Sequence, residues 1–199
     1  MPCSLQTGSG VILASGSKYR RALLHRIVPE FSWAPPDIDE AQLRGESAAE
    51  MAARLARLKA EACRRGAPDA LVIGSDQVPA LGCTVLRKPG TRPKTVAQLR
   101  QCSGRAVQFF TGVCVLGPGG ASPESHVDVT TVRFRTLTLR EIESYVDKEQ
   151  PYDCAGGFKA EALGIALMDA IETADPTAIQ GIPLIWLAAC LSRRGLQVL

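Results

Sequence analysis

The hydrophobic positions fall into short runs that end at glycine, proline or small polar residues. Residues 11–14 and 71–73 are unbroken apolar runs, which are typical of buried strands. Residues 106–116 and 126–135 alternate between apolar and polar side chains, and the turn signal at 117–120 predicts that these two strands pair. The alternation changes phase within the second strand, which predicts a bulge. Weaker strand patterns lie at 31–34, 78–86 and 165–171.

Two helices begin at capping boxes, in which a hydroxyl residue and a glutamate three positions later bind each other's main-chain N–H groups. The box at 47–50 opens a helix that runs to about Arg65, and the box at 138–141 opens a second helix. Helical spacing predicts that the inner face of the first helix contains Met51, Leu55, Leu58 and Ala62. Further helices are predicted over 18–28, 93–101 and 183–194.

Strands and helices are mixed along the chain, with long antiparallel pairs in its middle. This order predicts an α/β fold with a mixed β-sheet and flanking helices. A length of 199 residues fits a single domain that spans residues 1–199. We expect residues 1–9 to form a flexible N-terminus.

The composition is that of a soluble globular protein, with 46% hydrophobic and 22% charged residues. A net charge of +3 fits an anionic small molecule but is too weak to indicate nucleic acid. The seven cysteines include no Cys-x-x-Cys pair, which argues against structural zinc and fits free thiols in a reducing cytoplasm. Residues 1–10 lack a signal-peptide pattern, and the longest apolar run, 182–191, is too short to cross a bilayer.

The polar triplet Ser75-Asp76-Gln77 follows the apolar run 71–73 and Gly74. Ligands of open α/β sheets bind beyond the carboxyl ends of strands, so an acid at that point is a candidate for chemistry. An aspartate after Gly-Ser is also common as a turn or cap residue. The triplet alone leaves both interpretations open.

A loop of small residues, 15–21, joins the first strand to the first helix. Ser17 can cap this helix, and the loop presents main-chain N–H groups and the positive end of the helix dipole to an anion. Lys18, Arg20 and Arg21 lie in the first turn, where cations oppose the dipole. Either a bound polyphosphate neutralises them, or their side chains point to water.

Other loops add further charges. Asp37, Asp39 and Glu40 form either a solvated acidic turn or ligands for a hard divalent cation. Lys88 and Lys159 also lie in loops. Cations together with carboxylates suit a metal-bound polyphosphate, because Mg²⁺ prefers one or two carboxylates plus phosphate oxygens.

Several of these stretches resemble motifs of the Maf family of nucleotide pyrophosphatases. They cover nearly the whole chain in order: 11–24, Asp39-Glu40, Lys59 within 57–60, Ser75–Gln77, Lys88-Pro89 and Ala155–Phe158. The resemblance implies an inosine-triphosphatase-like fold of the Maf type, with two lobes around a cleft. It also implies hydrolysis of a nucleoside triphosphate to the monophosphate and pyrophosphate with a divalent metal, Mg²⁺ or Mn²⁺.

The resemblance assigns a role to each matching residue. Asp76 matches the catalytic acid, which accepts a proton from water, and Asp76 and Glu40 together hold the metal. The residues that bind phosphate are Ser15, Arg20, Lys59, Lys88 and Lys159. The expected partner is the nucleoside triphosphate substrate, with no nucleic acid and no membrane, and a homodimer is an expectation from the family alone.

Tyr19, Gln77 and Glu161 occupy the positions that separate two branches of the family. This combination resembles the branch that acts on 7-methyl-GTP, whereas the branch that acts on dTTP and UTP has Arg, Thr and Gln there. N7-methylguanine is cationic, so a tyrosine can stack on it with roughly 0.5–2 kcal/mol. A carboxylate also suits this charge, and Gln77 offers a donor and an acceptor. The alternatives are dTTP and UTP hydrolysis, or a nucleotide-binding regulator of septum formation.

Three residues depart from the family pattern. Lys18 replaces a proline, Gly16 replaces a small or hydroxyl residue, and Tyr19 stands where tryptophan is frequent. A lysine removes the rigid helix start that proline provides and adds charge. Tyrosine keeps a stacking face at reduced strength.

Overall fold

The computed structural model describes residues 10–199; the expected flexible N-terminus, 1–9, lies outside the described residues. The strands are β1 (Val11–Ala14), β2 (Ser32–Trp33), β3 (Leu71–Leu81), β4 (Thr84–Val85), β5 (Ala106–Leu116), β6 (Glu124–Phe134) and β7 (Met168–Glu172). The helices are α1 (Lys18–Leu24), α2 (Ala48–Arg64), α3 (Arg92–Cys102), α4 (Leu139–Glu149) and α5 (Leu184–Arg193). Short 3₁₀ turns lie at Pro118–Gly120, Ala155–Gly157, Leu163–Leu167 and Ala178–Gln180.

These strands form one mixed sheet in the order β2-β1-β3-β5-β6-β7, with β4 paired to β3. β1 runs parallel to β2 and β3, and the other pairs are antiparallel. The helices flank this sheet. The predicted α/β fold with a mixed sheet is therefore confirmed.

β3 is longer than the sequence pattern predicts. The strand continues through Ser75, Asp76 and Gln77 and ends at Leu81. Asp76 therefore lies in mid-strand, paired with Gly112 of β5, and its predicted position beyond the end of its own strand is wrong. The predicted hairpin that follows is confirmed as the β3–β4 pair.

Two glycines allow α2 to lie close against the sheet. A Cβ on Gly74 would overlap the main-chain oxygen of Ala56 and lie 2.7 Å from the main-chain nitrogen of Ala60. Gly112 of β5 faces the main chain of Ala52 in the same way. Glycine at position 74 therefore serves close packing, and the turn that its sequence context indicates does not form.

The helix predictions hold with local corrections. Both capping boxes form, and Ser17 caps α1 through a hydrogen bond from Arg20 N. α1 ends four residues earlier than predicted, at Leu24 against 28. Leu58 and Ala62 are only half-buried, because α2 contacts the sheet along a neighbouring stripe, which contains Met51, Ala52, Leu55, Ala56, Lys59 and Ala60.

β6 shows why the predicted bulge is misplaced. Every second residue of β6 is buried, as in a regular strand: Asp128, Thr130, Val132 and Phe134. The first two of these buried residues are polar and the last two are apolar. Pairing with β5 is continuous, and the register irregularity falls between Arg133 and Phe134, where β6 meets β7. Two polar residues at buried positions therefore produced the change of phase in the sequence pattern.

Two large hydrophobic clusters define two lobes. One contains Leu13, Ile73 and Leu187, from β1, β3 and α5. The other contains Phe109 of β5, Tyr145 of α4 and other residues of that end of the sheet. Between residues 10 and 199, no helix combines the length and the apolar character that a membrane crossing requires.

Candidate active site

The central part of β3 borders a cleft of about 450 Å³. β1 ends at Ala14, which pairs with Gly74, and β4 first pairs with β3 at Ala80. The side chains of Asp76 and Gln77 lie between these two points and line the cleft. Asp76 is thus just beyond the carboxyl end of β1, where ligands of such sheets bind.

Lys59 links two carboxylates in this cleft. Its Nζ lies 2.5 Å from Asp76 Oδ1 and 2.6 Å from Glu40 Oε1. The side chains of Lys59 and Asp76 are 9% and 12% exposed, whereas that of Glu40 is 57% exposed. Partial burial opposes ionisation of Glu40, but the hydrogen bond from Lys59 and the nearby cations outweigh it and lower the pKa of Glu40. Both carboxylates are therefore held around one ammonium group.

Arg20 points into the protein rather than to water, and its predicted role in phosphate binding stays a prediction. Its Nε donates to the main-chain oxygen of Gly181 at 3.0 Å, and its Nη1 donates to Ser15 Oγ at 3.4 Å. Nη2 lies 4.0 Å from Asp76 Oδ1. Burial lowers the pKa of Arg20, and the charges of Asp76 and Glu40 oppose this shift. Ser15 does not line the cleft itself and contacts it through Arg20.

The two other cations of this loop have different contacts. Lys18 Nζ lies 5.1 Å from the centre of the Tyr19 ring, and the Arg21 guanidinium lies 4.0 Å from the Trp33 ring. Tyr19 lines the cleft, whereas Lys18 and Arg21 do not. The cation–ring contacts explain how both side chains are accommodated at a helix N-terminus.

Gln77 uses its amide nitrogen to hold a neighbouring turn. Nε2 donates to the main-chain oxygens of Ala178 and Ile179, each at 3.0 Å, and lies 3.2 Å from Thr111 Oγ1. Its amide oxygen accepts no hydrogen bond within residues 10–199. The predicted contact between Gln77 and a base therefore stays a prediction, and the oxygen is the group left for it.

Lys88, Lys159 and Glu161 also line the cleft. Lys88 and Glu161 are exposed. Lys159 Nζ donates to the main-chain oxygen and to Oε1 of Glu149, each at 3.0 Å, and this contact raises the pKa of Lys159. A carboxylate thus already neutralises Lys159, which makes it a weaker candidate for phosphate binding than Lys88.

The loop at residues 37–40 contributes one carboxylate to the lining of the cleft. Glu40 lines it, whereas Asp39 accepts a hydrogen bond from Ala41 N at 2.8 Å and forms a local turn. Asp37 is exposed outside the cleft lining. For Asp39 the turn interpretation therefore applies, and for Glu40 the ligand interpretation stays a prediction.

Sequence reasoning missed other residues that line the cleft. Met51 and Leu55 extend from the core stripe of α2 to the cleft wall, and Arg87 precedes Lys88. Gln180 also lines the cleft, on the turn that Gln77 holds. The spacing of the α2 stripe predicted burial for Met51 and Leu55, but no sequence signal marks Gln180.

Asp175 anchors the turn that carries Gln180. Its Oδ2 accepts from Ile185 N at 2.7 Å, and its Oδ1 accepts from Thr177 N and Oγ1 at 2.8 and 2.6 Å. Pro183, at the N-cap position of α5, has no side-chain cap to offer. Asp175 therefore replaces the missing cap and fixes the chain between β7 and α5.

Asp128, buried near Asp175, makes stability depend on pH. Burial and the charge of Asp175 raise the pKa of Asp128. The pKa of Asp128 is therefore higher in the folded state than in the unfolded state. Because of this difference, the free energy of unfolding falls as the pH rises from about 4 through the raised pKa. We expect Asp128→Asn to increase the free energy of unfolding at about pH 7, and this gain should shrink toward about pH 4.

Denaturant unfolding of both proteins across this pH range measures the difference. Asp169→Asn, at an exposed position of β7, is the matched control and should leave the profile unchanged. If Asp128→Asn were less stable than the parent protein at neutral pH, the unfavourable ionisation of Asp128 would be refuted.

The fold and the cleft place the chain in a known class of protein. The model of the Maf-like protein family matches residues 10–194, and the chain belongs to this family. A protein of Thiobacillus denitrificans named 7-methyl-GTP pyrophosphatase is 46% identical, over 98% of this chain and 96% of its own. Proteins with the same name from Pseudomonas putida and Xanthomonas oryzae are 47% and 49% identical, each over 94% of this chain and 98% of their own.

A solved structure shows the same fold. The Ham1 protein of Staphylococcus aureus aligns with a TM-score of 0.51 at 13% identity, over 92% of this chain and 98% of that protein. This similarity concerns the fold alone. It confirms the expected fold class of a mixed sheet with flanking helices.

Proposed function

We propose that this protein hydrolyses 7-methyl-GTP to 7-methyl-GMP and pyrophosphate. The observation that carries the proposal is one cleft lined both by a charged acid, Asp76, and by Tyr19 and Glu161, which suit a cationic base. Three relatives of nearly the same length that are named 7-methyl-GTP pyrophosphatase support it. Removing this methylated nucleotide from the nucleotide pool would be the biological role.

Asp76 would act as the general base. Its Oδ1 is held by Lys59, which leaves Oδ2 to accept a proton from water. The water oxygen would form a bond to the α-phosphorus while the bond from that phosphorus to the bridging α–β oxygen breaks. The proton would go to Asp76, and pyrophosphate would leave with the bonding electron pair. Lys59 and Arg20 hold the carboxylate in one orientation before the substrate arrives.

The cations of the cleft would bind the phosphate chain. Arg20 is fixed by Gly181 and Ser15, so that its guanidinium is oriented in advance for phosphate oxygens. Lys88 is an exposed residue of the cleft lining and forms no ion pair within residues 10–199, so it can bind a substrate without leaving one. Lys59 and Lys159 would each have to exchange part of an existing carboxylate contact for a phosphate contact.

The donor set fits a divalent cation that binds together with substrate. Glu40 Oε1 and Asp76 Oδ1 both contact Lys59 Nζ, so the two carboxylates lie close together, and Lys59 would give up one of these contacts to a cation. Within residues 10–199, no three metal-ligating side chains form a group, and two carboxylates plus substrate phosphates are the usual set for Mg²⁺. Mg²⁺ or Mn²⁺ held by Glu40 and Asp76 would neutralise charge on the phosphates.

Tyr19 and Glu161 would select the base. The Tyr19 ring already accepts one cation, Lys18, whose flexible side chain can give up its position to a cationic ring. Glu161 is exposed on the cleft wall and makes no hydrogen bond within the described chain, so its carboxylate is available for the methylated guanine.

A substrate panel tests the proposal. Pyrophosphate release should be compared for 7-methyl-GTP, GTP, UTP and dTTP, with and without EDTA. We expect kcat/KM for 7-methyl-GTP to exceed that for UTP and dTTP by about tenfold or more, since each 1.4 kcal/mol of selective contact corresponds to a factor of ten. EDTA should abolish turnover, and Mg²⁺ or Mn²⁺ should restore it.

Two outcomes of this panel would contradict the proposal. A tenfold preference for UTP or dTTP would show that the dTTP and UTP branch describes this protein better. Full turnover in EDTA would exclude the proposed cation at Glu40 and Asp76.

A further inference from the structure

Gln180 is a half-buried polar residue of the cleft whose side chain has no hydrogen-bond partner in the described part of the chain. It lies in the 3₁₀ turn Ala178–Gln180, and its carboxamide makes no hydrogen bond within residues 10–199. A carboxamide offers two donor hydrogens and one acceptor oxygen. Such a group beside a ligand cleft is available to a ligand at no cost in protein contacts.

The turn that carries Gln180 is fixed on both sides. Before it, Gln77 Nε2 and Thr111 Oγ1 donate to the main-chain oxygen of Ala178, each at 3.0 Å. After it, Ser75 Oγ and Arg20 Nε donate to the main-chain oxygen of Gly181 at 2.7 and 3.0 Å. The position of Gln180 is therefore set by the catalytic strand and by the phosphate loop. The main chain at Gln180 therefore needs no further ordering when a ligand binds, and only the side chain has to be immobilised.

Gln180 lines the same cleft as the residues proposed to bind the phosphates and the base. Gly181 touches Arg20, the guanidinium proposed to bind phosphate. Ile179, on the other side of Gln180 in the chain, packs against the cluster that contains Phe158, three positions before Glu161. Between a phosphate chain and a base lies the ribose, whose hydroxyl groups both donate and accept.

We propose that Gln180 hydrogen-bonds one ribose hydroxyl of the substrate, the 2′- or the 3′-hydroxyl, and makes the enzyme prefer nucleotides that carry this hydroxyl. This inference rests on the proposed function, which locates the phosphates and the base in the cleft. A carboxamide matches a hydroxyl because it can accept the hydroxyl proton and donate to its oxygen. Leucine at this position would keep a similar volume and remove both capabilities.

The inference is tested by combining a substitution of Gln180 with the removal of single hydroxyl groups from the substrate. The parent protein and Gln180→Leu are assayed with 7-methyl-GTP, GTP and UTP and with the 2′-deoxy and 3′-deoxy analogue of each. We expect Gln180→Leu to lower kcat/KM for the ribonucleotides by about threefold to tenfold, mainly through KM, the usual value of one neutral hydrogen bond. One of the two deoxy series should be unaffected, which identifies the hydroxyl.

Gln101→Leu, at an exposed position of α3, is the matched control and should leave all ratios unchanged. Because the Gln180 side chain loses no hydrogen bond within residues 10–199 and leucine has a similar volume, the thermal midpoint of Gln180→Leu should equal that of the parent protein. Equal losses with ribonucleotides and with both deoxy series would overturn the inference. If the parent protein prefers UTP to 7-methyl-GTP, the proposed substrate is wrong, while the UTP series still tests Gln180.

Discussion

Asp76→Asn is expected to lower kcat for pyrophosphate release by about 10²–10⁴-fold, the range for loss of a general base. An asparagine has nearly the same shape and keeps an oxygen for Lys59, but its amide cannot take a proton from water. Nucleotide binding should persist, because removing one negative charge beside Arg20 and Lys59 favours an anionic ligand. Rapid-quench kinetics together with binding measured by calorimetry separate the two effects.

Asp69→Asn, at an exposed position outside the cleft, is the matched control and should retain full activity. Turnover of Asp76→Asn within about tenfold of the parent value would contradict the proposed base, since such a loss is smaller than that of a typical catalytic proton acceptor. A septum phenotype that survives Asp76→Asn would instead favour the regulator that binds nucleotide without important turnover.

Gly74→Ala is expected to have the largest effect on stability among single methyl additions in β3. The new Cβ would overlap the main-chain oxygen of Ala56, and main-chain atoms within a helix cannot move separately. We expect a loss of about 3 kcal/mol or more in the free energy of unfolding, the upper range for an overpacked core. For a protein of this size, that corresponds to a fall of about 6–12 °C in the thermal midpoint.

Activity should fall as well, because α2 carries Lys59 and would be displaced from β3. Gly10→Ala is the control: a Cβ at Gly10 meets no atom within 4 Å, so both stability and activity should be retained. A thermal midpoint for Gly74→Ala within about 2 °C of the parent value would show that the helix and sheet can separate at little cost.

The local sequence predicts the elements of the site better than their contacts. Ser17, Ser47 and Thr138 cap helices where their spacing predicts, because a capping bond joins residues three positions apart. The resemblance to the family's motifs predicts that Arg20 and Lys59 belong to one phosphate-binding site. Neither kind of information shows that Lys59 lies between two carboxylates, since that contact depends on how α2 packs on the sheet.

One wrong prediction and one missed contact have physical causes that the sequence cannot resolve. Glycine at a turn and glycine under a closely packed helix look alike in sequence, so Gly74 signalled a turn that does not exist. The amide nitrogen of Gln77 donates to the main-chain oxygens of Ala178 and Ile179, about a hundred positions away in the sequence. No local sequence pattern predicts such a distant contact. The same distance hides Gln180, whose place in the cleft depends on this turn.

The most direct measurement follows the oxygen of the attacking water. The protein should be incubated with 7-methyl-GTP in water enriched in ¹⁸O, and the products should be weighed by mass spectrometry. Attack on the α-phosphorus predicts 7-methyl-GMP with one ¹⁸O and unlabelled pyrophosphate, and both products should form about 10²–10⁴-fold more slowly with Asp76→Asn. Label in pyrophosphate, release of 7-methyl-GDP with phosphate, or no turnover of 7-methyl-GTP would contradict the proposed reaction.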